Sequence, residues 1–88
     1  MNNLYRFYLD CGRMGELEGL FICTDDELKS LIGKEVYFGE VLGKHSEVFE
    51  TMQKKHFTLV SQDQNLIQQL INMMGETVCG HNPFDYLE

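Results

Sequence analysis

The residues best able to do chemistry crowd into one short stretch. Between Ile32 and Val48, three glycines (Gly33, Gly39 and Gly43) punctuate the chain, and Glu40, Lys44, His45, Ser46 and Glu47 gather around what reads as a bend between two strands. Strand alternation puts His45 and Glu47 on one side, where the carboxylate would favour the charged imidazolium and orient the ring. Such a pair can act as a general base, with Lys44 holding an anionic group and Ser46 hydrogen-bonding to it. No nucleophile or oxyanion device accompanies the pair, and a charged loop also keeps a sheet edge soluble. Binding is therefore the expected role, with no catalytic residue assigned. The ligand-binding set is Tyr37, Phe38, Glu40, Lys44, His45 and Glu47, and the aromatic side chains of Tyr37 and Phe38 line the pocket. The alternative is a small enzyme or a ligand-sequestering protein that uses His45 and Glu47 in that pocket. Glu40 interrupts the apolar alternation Val36-Phe38-Glu40-Leu42, so if buried it needs Arg6, Arg13 or Lys44 as a partner.

Two other groupings carry weaker chemistry. Cys79-Gly80-His81 offers a thiolate and an imidazole that Cys11, Cys23, His45 or His56 would have to complete. Their spacing matches no zinc pattern, and no metal or cofactor is expected. Cys11-Gly12-Arg13-Met14-Gly15 sets a thiol near a guanidinium, which would lower its pKa. Lacking a following helix, the segment reads better as a hairpin turn than as an anion loop.

The chain has 88 residues with a net charge of −7, and a hydrophobic content of 43% with four tyrosines and six phenylalanines. That composition suits one small packed domain over residues 1–88 and excludes disorder. The negative balance excludes direct nucleic-acid binding and an anionic membrane surface. It leaves room for an acidic surface that docks on a basic protein by imitating nucleic acid, although Asp25-Asp26-Glu27, the densest cluster, is explained by a helix start. No signal-peptide pattern or apolar run of membrane-spanning length is present. Three widely spaced cysteines suit reduced thiols, so a cytoplasmic location is expected.

The elements that must position these groups follow from periodicity. Leu4 to Leu9 alternates as a strand, with Tyr5, Phe7 and Leu9 on one face and Leu4, Arg6 and Tyr8 on the other. Glu16 to Cys23 returns antiparallel, with Leu17, Gly19, Phe21 and Cys23 opposed to Glu16, Glu18, Leu20 and Ile22. Thr24 and Glu27 form a capping box for a short helix through Ile32, closed by Gly33. Strands follow at Val36–Leu42, Glu47–Met52 and His56–Val60. Ser61 and Gln64 make a second capping box, and Leu66, Ile67, Leu70, Ile71 and Met74 recur at helical spacing before Gly75. Residues 76–88 have no period, yet Phe84, Tyr86 and Leu87 predict packing on the body or on a partner.

The order β-β-α-β-β-β-α predicts an α+β fold, an antiparallel sheet of about five strands with two helices on one face. The other face would carry Tyr8, Leu20, Ile22 and Tyr37 as an apolar patch. Such a patch, and the small core, predict a homodimer formed through the sheet or the aromatic tail. The functional expectation is a small acidic binding module without catalytic activity, engaging a protein partner or a small ligand near the 40–47 bend. Size alone offers the analogy of a mobile-element accessory protein.

Overall fold

The computed structural model describes residues 1–43 and 47–87. Alternating apolar residues draw the first two strands into a long hairpin. β1 (Asn2–Asp10) pairs antiparallel with β2 (Glu16–Thr24) from Asn2↔Thr24 to Asp10↔Glu16. The connection is a 3-10 turn, Gly12–Met14, entered with Gly12 at φ 65, a left-handed conformation that glycine adopts without strain. β5 (Phe57–Ser61) adds outside β1 and β6 (Thr77–Gly80) outside β2, giving a four-stranded antiparallel sheet in the order β5-β1-β2-β6. β3 (Glu35–Gly39) and β4 (Val48–Thr51) pair only with each other.

Both helices start on side-chain caps. α1 (Asp25–Leu31) has the predicted capping box: Glu27 N–H donates to Thr24 Oγ1 at 3.1 Å and Thr24 N–H donates to Glu27 Oε1 at 2.9 Å. α2 (Gln64–Met74) is capped by Asp63 rather than by Ser61. The Asp63 carboxylate accepts from the backbone of Asn65 and Leu66 at 3.0 and 3.3 Å, while Ser61 Oγ accepts from Asp63 N–H at 3.1 Å. A carboxylate two residues nearer the helix displaces the hydroxyl from that role. Among the described residues no helix is long and apolar enough to cross a membrane.

The fold class is α+β, as predicted, but its layers are arranged differently. One sheet face presents Tyr5, Phe7, Leu9, Leu17, Phe21 and Cys23, and all are buried. The seven residues of α1 cannot cover so wide an apolar face, and the β3–β4 hairpin completes the cover with Val36, Phe38 and Val48. The hairpin therefore stacks on the sheet instead of joining its edge, and the expected sheet of about five strands becomes four plus two. The helices also divide between the faces. Leu28 and Leu31 of α1 join the aromatic side, whereas Ile67, Leu70 and Ile71 of α2 pack on Leu4, Leu20 and Ile22 of the other.

β6, unseen in the sequence, takes the edge of β2. Its approach depends on two glycines. Gly19 and Gly80 face each other in register, and His81 N–H donates to Glu18 O at 2.9 Å. A Cβ on Gly19 would overlap the carbonyl oxygen of His81, and one on Gly80 would overlap that of Glu18. The chain then crosses β2 and lays Phe84 against Phe21, with ring centroids 5.8 Å apart, and Tyr86 against Phe38 at 4.9 Å. Gly19→Ala should therefore destabilise the fold by about 1–3 kcal/mol, the usual cost of overpacking. In hydrogen exchange, amides of β6 should lose more protection than those of β1; equal loss throughout would mean that the close approach is not the cause.

Candidate functional site

The sheet pleat decides what the β3–β4 hairpin shows to solvent. Val36 and Phe38 point inward, so Glu35 and Tyr37 point outward, and across the ladder Tyr37 lies opposite Phe49 and Glu35 opposite Thr51. Tyr37 is 50% exposed and Phe49 58% exposed. β3 stops at Gly39, whose φ is 75, before the predicted end at Leu42. Glu40 then occupies the following turn, closed by a bond from Gly43 N–H to Glu40 O at 3.3 Å, and its side chain is exposed rather than buried.

The pocket expected between Tyr37 and Phe38 does not form, because adjacent strand residues face opposite sides. Phe38 is 3% exposed and stacks on Phe7, with centroids 5.8 Å apart. Glu47 does reach Tyr37. The tyrosine's pKa is raised, first by partial burial, then by its hydrogen bond to Glu47 and by the negative charges of Glu47 and Glu40. Lys44 and His45, and with them the His45–Glu47 pair, lie outside the described residues. Beside the hairpin, a groove of about 500 Å³ is lined by Lys34, Glu35, Tyr37, Tyr86 and Leu87. Tyr37, Glu40 and Glu47 thus come together as the sequence suggested, and Phe38 does not.

Phe49, Tyr86, Leu87 and Lys34 were not recognised from the sequence as site residues. The alternation Val48-Phe49-Glu50 placed Phe49 on a face, but only its pairing with Tyr37 makes an exposed aromatic pair. The expected patch of Tyr8, Leu20, Ile22 and Tyr37 is not formed. Ile22 is buried under α2 and Tyr37 belongs to the other sheet. The uncovered half of that face is polar: Arg6 pairs with Glu18 at 2.6 Å and lies 5.5 Å from the Tyr8 ring centroid. Tyr8 donates to Glu16 at 2.5 Å, and this bond, before burial, pushes its pKa up to about 12.

The surroundings of Cys11 and Cys23 disfavour the thiolate. Cys11 has a raised pKa, through burial and then the charges of Asp10 and Glu50, so the lowering expected from Arg13 is reversed. Burial pushes Cys23 up to about 12, with Glu27 adding to the effect. Cys79 is exposed on β6, and His81 Nδ1 lies 3.1 Å from the Tyr86 hydroxyl. Among the described residues no group of three His, Cys, Asp or Glu side chains could hold a metal ion.

His56 is the buried titratable group that the fold reveals. It is 7% exposed, and its Nδ1 accepts from Gln53 N–H at 3.1 Å, which requires a neutral ring protonated at Nε2. Burial lowers its pKa and Lys55 adds to this, against a smaller opposing effect of Glu50. With the folded pKa below the ordinary 6.5, stability is full above 6.5 and falls as the pH drops through the folded value. Urea titrations should show that fall, and His56→Leu should flatten it; an unchanged pH dependence in the variant would count against the assignment. The chain matches no protein-family model, no curated protein and no solved structure.

Proposed function

We propose that the protein is a small, non-catalytic binding module whose docking surface is the outer face of the β3–β4 hairpin, beside the 40–47 bend. The observation that carries this reading is the directly opposed pair Tyr37 and Phe49, each at least half exposed on the outer face of the hairpin. Two large aromatic rings left side by side in water are costly unless something covers them. The aromatic residues used for the core leave these two as a separate set, and the groove beside Tyr37 extends the same surface towards Leu87. Free thiols, one of them buried, fit a reducing compartment such as the cytoplasm.

Self-association belongs to the same reading but uses another surface. Copies of a −7 chain meet with least repulsion where charge is sparse, and Asp63 is the sole charged residue from Phe57 to Gly75. Within that stretch α2 exposes Leu66 at 41% and Met73 at 72%. A dimer would form over this uncharged shoulder. Native mass spectrometry should find the dimer, and Met73→Lys should return it to monomer without loss of helical signal. A monomeric native protein at tens of micromolar (an order-of-magnitude threshold for a useful dimer) would remove the dimer from the proposal.

The docking surface is tested by photo-crosslinking in cells, with benzoyl-phenylalanine in place of Phe49 and, as control, in place of exposed Lys29 on α1. A discrete adduct from position 49 that is absent from position 29 is expected. No adduct at 49, or the same adducts from both, would overturn the reading.

A further inference from the structure

We infer that the outer face of the hairpin recognises a cationic side chain, arginine above all, carried by a basic extended segment of a partner protein. The inference rests on the docking role proposed for this face and adds the chemistry of the partner.

The two exposed rings are bracketed by carboxylates. Glu35 precedes Tyr37 by two residues on the same outer face, Glu47 bonds to the Tyr37 hydroxyl, and the charge of Glu40 reaches the same ring. The electron-rich faces of aromatic rings attract cations, and carboxylates at their rim give the cation hydrogen-bond acceptors. Arginine fits better than lysine, because a planar guanidinium stacks on a ring while its edge meets a carboxylate. The surrounding potential has the same sign, since the chain carries −7 overall.

Charge also excludes the other occupants. A phosphate-bearing partner would meet Glu35, Glu40 and Glu47 with like charge. A second copy bound by the same face would set those carboxylates against their own counterparts, since a two-fold interface is self-complementary. Lys34 lines the adjoining groove together with Tyr86 and Leu87. A segment lying along the hairpin would set its arginines over Tyr37 and Phe49 and an apolar side chain in the groove beyond.

The probe is a blocked hexapeptide alternating arginine and glycine, with lysine and glutamate versions beside it, titrated into the 15N-labelled protein at low salt. Amide shifts should concentrate at Glu35–Gly39 and Glu47–Thr51, with the order arginine, lysine, then no binding for glutamate. Phe49→Ala and Glu35→Gln, both at exposed positions, should each weaken the arginine peptide about two- to fivefold. Shifts centred on Asp25–Glu27, or affinity unmoved by both variants, would reduce the effect to general acidity and overturn the inference. Absence of binding in the presence of a specific crosslink at position 49 would also overturn it, while leaving the docking face in place. Loss of that crosslink would remove the docking face itself.

Discussion

The aromatic cluster centred on Phe21 and Phe7 is the constraint on which the remaining structure depends. Phe21 is fully buried and meets Tyr5, Phe57 and Phe84, with ring centroids 6.2, 6.0 and 5.8 Å away. Phe7 meets Phe57 and Phe38 at 5.5 and 5.8 Å. β1, β2, β3, β5 and the tail all send a ring to this one place. Such rings bury large areas and gain further from tilted and edge-on contacts, so a small domain concentrates its stability there.

Covering that cluster determines where everything else goes. α1 makes about two turns, and it contributes Leu28 and Leu31 to one margin. The β3–β4 hairpin supplies Val36, Phe38 and Val48, and Met52 beyond it is fully buried. The tail closes the remaining side through Phe84 and Tyr86, reached only because Gly19 and Gly80 let the backbones approach. Every inward residue of the hairpin has an outward neighbour. Packing Phe38 on Phe7 is what turns Tyr37 to the outside, and packing Val48 turns Phe49 out opposite it. The exposed aromatic face is the reverse side of the core.

The distribution of charge follows the same division. Acidic residues ring the hairpin and the α1 start, while the stretch through β5 and α2 carries only Asp63. The edge strand β5 is uncharged and exposes Leu59 and Val60, but its ladder with β1 slips between Leu4 and Tyr5. An irregularity of that kind blunts an edge against further strand pairing. That leaves α2 as the smoother uncharged surface, distinct from the acidic outer face of the hairpin.

Local chemistry was legible because it acts over a few residues. Alternation assigned both faces of β1 and β2, and the Thr24–Glu27 spacing located α1, since side-chain direction and capping depend on neighbours in the chain. The helical spacing from Leu66 to Met74 likewise located α2, although Asp63 took the cap. Gly39, Glu40 and Glu47 do lie at the ends of β3 and β4, where the bend was expected. What the alternation could not say is which inward face meets which. β6 has only four residues, and its pairing is set by a close backbone crossing that no hydrophobic period records. The separation of β3–β4 from the main sheet, and of α1 from α2, reflects how much apolar area each sheet face must hide. Tyr37 was visible as a candidate from the start; Phe49 joined it only when long-range register set the two side by side. Most elements and their polarity follow from neighbouring residues, because pleat and capping are local; the layers, β6 and the exposed aromatic pair follow from burial, which is settled between segments far apart in the chain.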